Sequence, residues 1–142
     1  MMKKRTVTVA IVLMVLFSSG CMPNNSKESI YTPSNIAGIS FVWVDHDGDI
    51  TIEETLDPNL FSMFLTDFSE LSTHAYWNDP VDWIYGSAIM ISFHDGSYHM
   101  INNYCTIYYF ADSVDYTRQY YGTEEFEAFW NQYCSCQYRH DS

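Results

Sequence analysis

Two Asp-Gly dipeptides, Asp47-Gly48 and Asp95-Gly96, each follow a histidine and lie between runs of β-forming residues. They constrain the fold more than any other feature, because Asp-Gly readily supplies the positive φ of a two-residue type I′ hairpin turn. On that turn Trp43 faces Ile52 and Asp45 faces Ile50. Phe41, Trp43, Ile50 and Ile52 then form an apolar face, with Val44, His46, Asp49, Thr51 and Glu53 on the other. The second turn pairs Phe93 with Tyr98 and Ile91 with Met100, and leaves Ser92, His94, Ser97 and His99 on the opposite face. The flanks of the two His-Asp-Gly turns do not match, so no duplication is inferred.

Between the hairpins, residues 57–71 predict a helix. Asp57 is an N-cap, Pro58 suits the first position, and Phe61, Phe64, Leu65, Phe68 and Leu71 make one apolar stripe. Asn78-Asp79-Pro80 and Asn102-Asn103 are turn signals. Tyr104 to Phe110 predicts a third sheet strand, and Tyr116 to Tyr121 an edge strand. Thr123 opens a last helix with Glu124 and Glu125 in its first turn and Phe126, Phe129, Trp130 and Tyr133 as its stripe. The order predicts an α+β fold: an antiparallel sheet of two hairpins plus further strands, with two amphipathic helices packed on one face.

The N-terminus is of a different kind. Lys3, Lys4 and Arg5 precede an apolar run from Val7 to Phe17, which is followed by Ser18, Ser19, Gly20 and Cys21. The run has the length of a signal-peptide core and is short for a transmembrane helix. Ser19-Gly20-Cys21 resembles the lipobox of bacterial lipoproteins, although Ser18 stands where leucine is usual. The resemblance covers 21 residues and implies cleavage before Cys21, a diacylglycerol thioether on Cys21, and anchoring to the outer face of a bacterial cell membrane or outer membrane. Ser18-x-Gly20 also fits ordinary secretory cleavage; both readings export the protein. The expected organisation is a signal peptide over 1–20, a lipidated N-terminus and Pro/Asn/Ser-rich tether over 21–36, and a single domain over 37–138.

Past Cys21 the chain keeps three basic residues, Lys27, Arg118 and Arg139, against all 18 acidic ones, a net charge of −15. Such a surface repels phosphate backbones, which excludes nucleic-acid partners, and anionic lipid, which leaves a lipid anchor as the route to a membrane. Twelve Tyr, nine Phe and four Trp exclude a disordered chain.

No nucleophile elbow, phosphate loop or cofactor motif is present. Asp45, Asp47 and Asp49 superficially resemble a calcium loop, but Gly48 and Leu56 depart from the EF-hand pattern, which favours an acidic turn. His94 and His99, placed on one face, are a candidate metal pair that needs a third ligand from His74, His46 or an Asp. The aromatic excess, centred on Tyr76, Trp77 and Trp83 with Tyr108, Tyr120 and Tyr121, points either to a glycan or peptide surface or to plain sheet cover. With Cys21 acylated, Cys105, Cys134 and Cys136 remain. In an oxidising compartment Cys105 is expected to pair with Cys134, with three reduced thiols as the alternative. The functional expectation is a membrane-anchored lipoprotein with a small non-catalytic domain that binds a protein partner or a glycan or cell-wall ligand, with no cofactor. The alternative is a metal-dependent hydrolase using His94, His99 and nearby carboxylates.

Overall fold

A computed structural model describes residues 30–74, 84–110, 113–117 and 120–139. The chain runs β1 (Ile36–Val44), β2 (Ile50–Thr55), α1 (Phe61–Glu70), β3 (Thr73–His74), β4 (Gly86–Phe93), β5 (Tyr98–Ile101), β6 (Thr106–Phe110), β7 (Ser113–Thr117), β8 (Tyr120–Tyr121) and α2 (Thr123–Tyr133). Six strands form one antiparallel sheet in the order β2-β1-β4-β5-β6-β7, and β3 pairs with β8. The fold is α+β. Among the described residues no helix is long and apolar enough to cross a membrane.

Both hairpins are present, but each is one residue out of the register that a two-residue turn gives. Val44 pairs with Ile50 and Trp43 with Thr51; Ile91 pairs with His99 and Met90 with Met100. The reason lies in the turns. Gly48 N–H donates to the Asp45 carbonyl, and Gly96 N–H to the Phe93 carbonyl. The two glycines have φ of 86° and 88°. This is a three-residue loop, a type I turn closed by a left-handed glycine, the next most common hairpin after the two-residue one. Side chains hold it: Asp45 Oδ1 accepts from the Asp47 and Asp49 amides, and Asp95 Oδ1 from the Ser97 amide and hydroxyl. A slip of one residue moves every side chain to the other face. Ile50 and Ile52 therefore share a face with Val44 and Val42, and His99 stands beside Ile91 rather than with the polar residues.

Asp57 caps a 3-10 turn, Pro58–Leu60, that leads into α1. Phe61, Phe64, Leu65 and Phe68 of α1, and Phe126, Phe129, Trp130 and Tyr133 of α2, join one buried cluster with Ile39, Phe41, Ile89, Ile91 and Ile101 of the sheet. Phe41 contacts both helices, its ring centroid 6.3 Å from Phe64 and 4.8 Å from Trp130. Val42, Val44, Ala88, Met100, Cys105 and Ile107 form a second cluster. They alternate with the first set along the strands, so the central strands are buried on both faces.

The packed chain starts earlier than position 37. Ile36 is buried in β1, and Tyr31 packs against Phe68 and Phe93. Tyr31 and Ile36, which the expected tether over 21–36 includes, therefore belong to the packed chain. The expected signal peptide and the expected lipidation site, Cys21, lie outside the described residues.

Candidate functional site

The β4–β5 turn, β6 and the segment 30–35 converge on His99. In the register of the sheet His99 lies between Ile91 and Tyr108. Segment 30–35 reaches the same place because Asn35 N–H donates to the Thr32 carbonyl and the Asn35 carbonyl accepts from His94 N–H. These bonds set Tyr31 above the histidine.

His99 is buried, at 4% exposure. Rings enclose it: Tyr108 at 4.3 Å, Phe93 at 4.7 Å and Tyr31 at 5.5 Å between centroids, each at a steep angle. Tyr31 Oη lies 2.8 Å from His99 Nδ1. Burial holds the histidine pKa down to about 4, against a smaller opposing pull from Asp95. Burial likewise raises the Tyr31 phenol, helped by Tyr108 and Tyr121. Both groups are neutral near pH 7. A phenol donates more readily than it accepts and an imidazole nitrogen the reverse, so Tyr31 donates to Nδ1 and the ring hydrogen sits on Nε2.

His99 and Tyr108 form part of a cleft of about 600 Å³ with Ile30, Asn35, Phe93, His94, Asp95 and Phe110. A second cleft of about 540 Å³, bounded by Tyr31, Leu65, Phe68, Leu71 and Tyr121, shares Ile30 and Tyr108 with the first. Asp95 stands at the rim of the first cleft as a carboxylate. The Ser97 hydroxyl, then the Ser97 amide, lower its pKa. The arrangement is a neutral aromatic floor under a polar, anionic rim. It suits a ligand with one apolar face and several hydroxyl or amide groups.

The candidate residues fall as follows. His94 is an exposed turn residue and His99 is buried, and both line the cleft. Among the described residues the only group of three or more close metal-ligand atoms is Glu54, Cys134 and Cys136, and neither histidine belongs to it. Asp45 serves the turn, its side-chain Oδ1 accepting from the Asp47 and Asp49 amides. Tyr76, Trp77 and Trp83 lie outside the described residues.

The expected Cys105–Cys134 pairing is corrected: Cys134 is bonded to Cys136, and Cys105 is free and buried. Cys105 belongs to the second-face cluster and Cys134 to the cluster that holds both helices, so the sheet separates them. Burial lifts the Cys105 thiol to about 11, which makes it an inert core group.

Sequence reasoning missed Tyr31, Phe93 and Phe110 as cleft residues. An aromatic at position 31 within an otherwise polar Pro/Asn/Ser segment was the available signal. Comparison of the chain with protein-family models, with curated proteins and with solved structures finds no match.

Proposed function

We propose that this chain is an exported lipoprotein, held to a bacterial membrane by acyl chains on Cys21, whose domain binds a neutral glycan of the cell envelope in the His99 cleft. The observation that carries the binding reading is the neutral aromatic floor, Phe93, Tyr108 and an uncharged His99 held by Tyr31 from behind, under the rim of Asn35, His94 and Asp95. A sugar ring stacks its C–H face on an aromatic ring, while rim amides and carboxylates take its hydroxyls. The anchor reading rests on Lys3 to Arg5, the apolar run to Phe17, and Ser19-Gly20-Cys21. The mature charge of −15 favours an uncharged ligand over an anionic one.

The hydrolase reading is not carried forward. His99 is paired with Tyr31 rather than with a nucleophile or carboxylate, and burial disfavours its protonated form.

Titration of the mature chain with neutral N-acetylglucosamine oligomers, followed by calorimetry, tests the binding. Saturable binding that Tyr108→Ala weakens roughly tenfold is the expected result. Equal binding by the variant, or none by wild type, rejects the cleft. Cys21→Ala should move the protein from the membrane to the soluble fraction, and mass spectrometry of wild type should find acyl chains on Cys21.

A further inference from the structure

The bond between Cys134 and Cys136 sits where chemistry on it is possible. Cys134 ends α2, its amide donating to the Trp130 carbonyl at 2.8 Å. The Trp130 indole N–H donates to the Cys136 carbonyl at 2.8 Å, so the same residue, now through its side chain, fixes the far end of the Cys-Ser-Cys loop. Opposite lies β2, an edge strand with a register shift between Phe41 and Val42 of its partner β1. Phe41 pairs with Glu54 and Val42 with Ile52, which leaves Glu53 as the extra residue of a bulge. Bulges re-aim side chains. Here Glu53 pairs with Arg139, while Glu54 Oε2 accepts from the Ser135 amide at 2.8 Å and the Ser135 hydroxyl at 2.6 Å. The same oxygen stands 3.5 Å from Cys134 Sγ. Cys136 N–H lies 3.3 Å from Cys134 Sγ, and Cys136 is half-buried where Cys134 is 5% exposed.

We propose that Cys134, Cys136 and Glu54 form a thiol–disulfide exchange site for a dithiol protein partner. A thiolate of the partner attacks Cys136 Sγ, the more accessible sulfur. The partner–Cys136 bond forms, the Cys134–Cys136 bond breaks, and its electron pair passes to Cys134 Sγ, where the Cys136 amide stabilises it. A proton from solvent, relayed through Glu54, which lies within reach of that sulfur, makes Cys134 a thiol. The partner's second thiolate then attacks its own sulfur in the mixed disulfide and releases Cys136. Two electrons and two protons move from the partner dithiol to Cys134 and Cys136, and the partner becomes a disulfide. Run backwards, Glu54 takes the proton from the Cys134 thiol and so generates the thiolate that closes the bond.

The test uses the full mature chain with dithiothreitol, reduced or oxidised, as the probe. Maleimide labelling with peptide mapping should show Cys134 and Cys136 opening while Cys105 stays protected and the circular dichroism spectrum stays folded. Oxidised dithiothreitol should restore the bond. With glutathione disulfide, Cys134→Ser should form a mixed disulfide at Cys136, releasing one reduced glutathione, at least about tenfold faster than Cys136→Ser forms one at Cys134. Glu54→Gln should slow reclosure roughly tenfold and flatten its pH dependence. A bond that resists dithiothreitol in the folded protein overturns the proposal whatever the variants do. Equal capture by the two serine variants, or an unchanged pH profile in Glu54→Gln, overturns the assigned roles.

Discussion

His99 concentrates the residue-scale argument. Its ring is buried among Tyr31, Phe93 and Tyr108, and its pKa is depressed to about 4 from an ordinary 6.5. The unfolded chain takes a proton near pH 6.5, whereas the folded chain refuses it until about pH 4. The stability that neutral His99 provides is therefore complete above pH 6.5 and is lost as pH falls toward 4. Between pH 7.5 and 5 the loss should be about 1 kcal/mol, allowing for screening at the open side of the cleft. Urea melts at the two pH values measure it, and His99→Gln, which cannot titrate, should show a drop smaller by that amount. An equal drop in wild type and variant would mean that other groups carry the acid sensitivity. At the opposite extreme, burial lifts the Tyr121 phenol to about 12, so this core tyrosine stays protonated through mildly alkaline conditions.

The decisive detail among the elements is the length of the hairpin turns. Gly96 has φ of 88°, and a Cβ added there would meet no atom within 4 Å. The cost of Gly96→Ala is therefore conformational and not steric crowding, and should be about 1–2 kcal/mol in thermal or urea unfolding. Gly96→Asn should cost less, because asparagine tolerates the left-handed region. The same turns show where the sequence was legible. Hairpins, helices and the α+β order follow from Asp-Gly signals, the Asp57-Pro58 cap and the 3–4 spacing of Phe61 to Phe68. The register did not follow, because Asp-Gly serves a two-residue turn and a three-residue turn equally well. What separates them is that Asp45 and Asp95 bond to amides two residues on, an interaction that the dipeptide alone does not specify. That single slip turned His99 from a polar-face metal candidate into a buried cleft residue. Tyr31 was illegible for a different reason: it is held by long-range contacts with Phe68, Phe93 and His99 rather than by any local pattern.

Across the whole molecule, the two helices meet over the sheet through rings. Phe64 of α1 lies 5.0 Å from Phe129, 5.0 Å from Tyr133, 6.1 Å from Phe68 and 6.3 Å from Phe41. Asp67, one turn along, accepts from Gln132 and from the Tyr133 hydroxyl. Phe64 is therefore the point at which α1, α2 and β1 depend on one another. Phe64→Ala removes a fully buried ring and leaves a cavity that three elements would have to collapse into, a change that costs about 3–5 kcal/mol. A domain of this size has on the order of 5–15 kcal/mol in hand, so the variant should melt far below wild type. Phe64→Leu, which keeps most of the volume, should cost less than half as much. The coupling can be read by combining Phe64→Ala with Phe129→Ala. The rings share a cavity, so the double variant should lose less than the two single losses added together, by roughly 0.5–3 kcal/mol. Simple additivity would mean that α1 and α2 dock on the sheet independently.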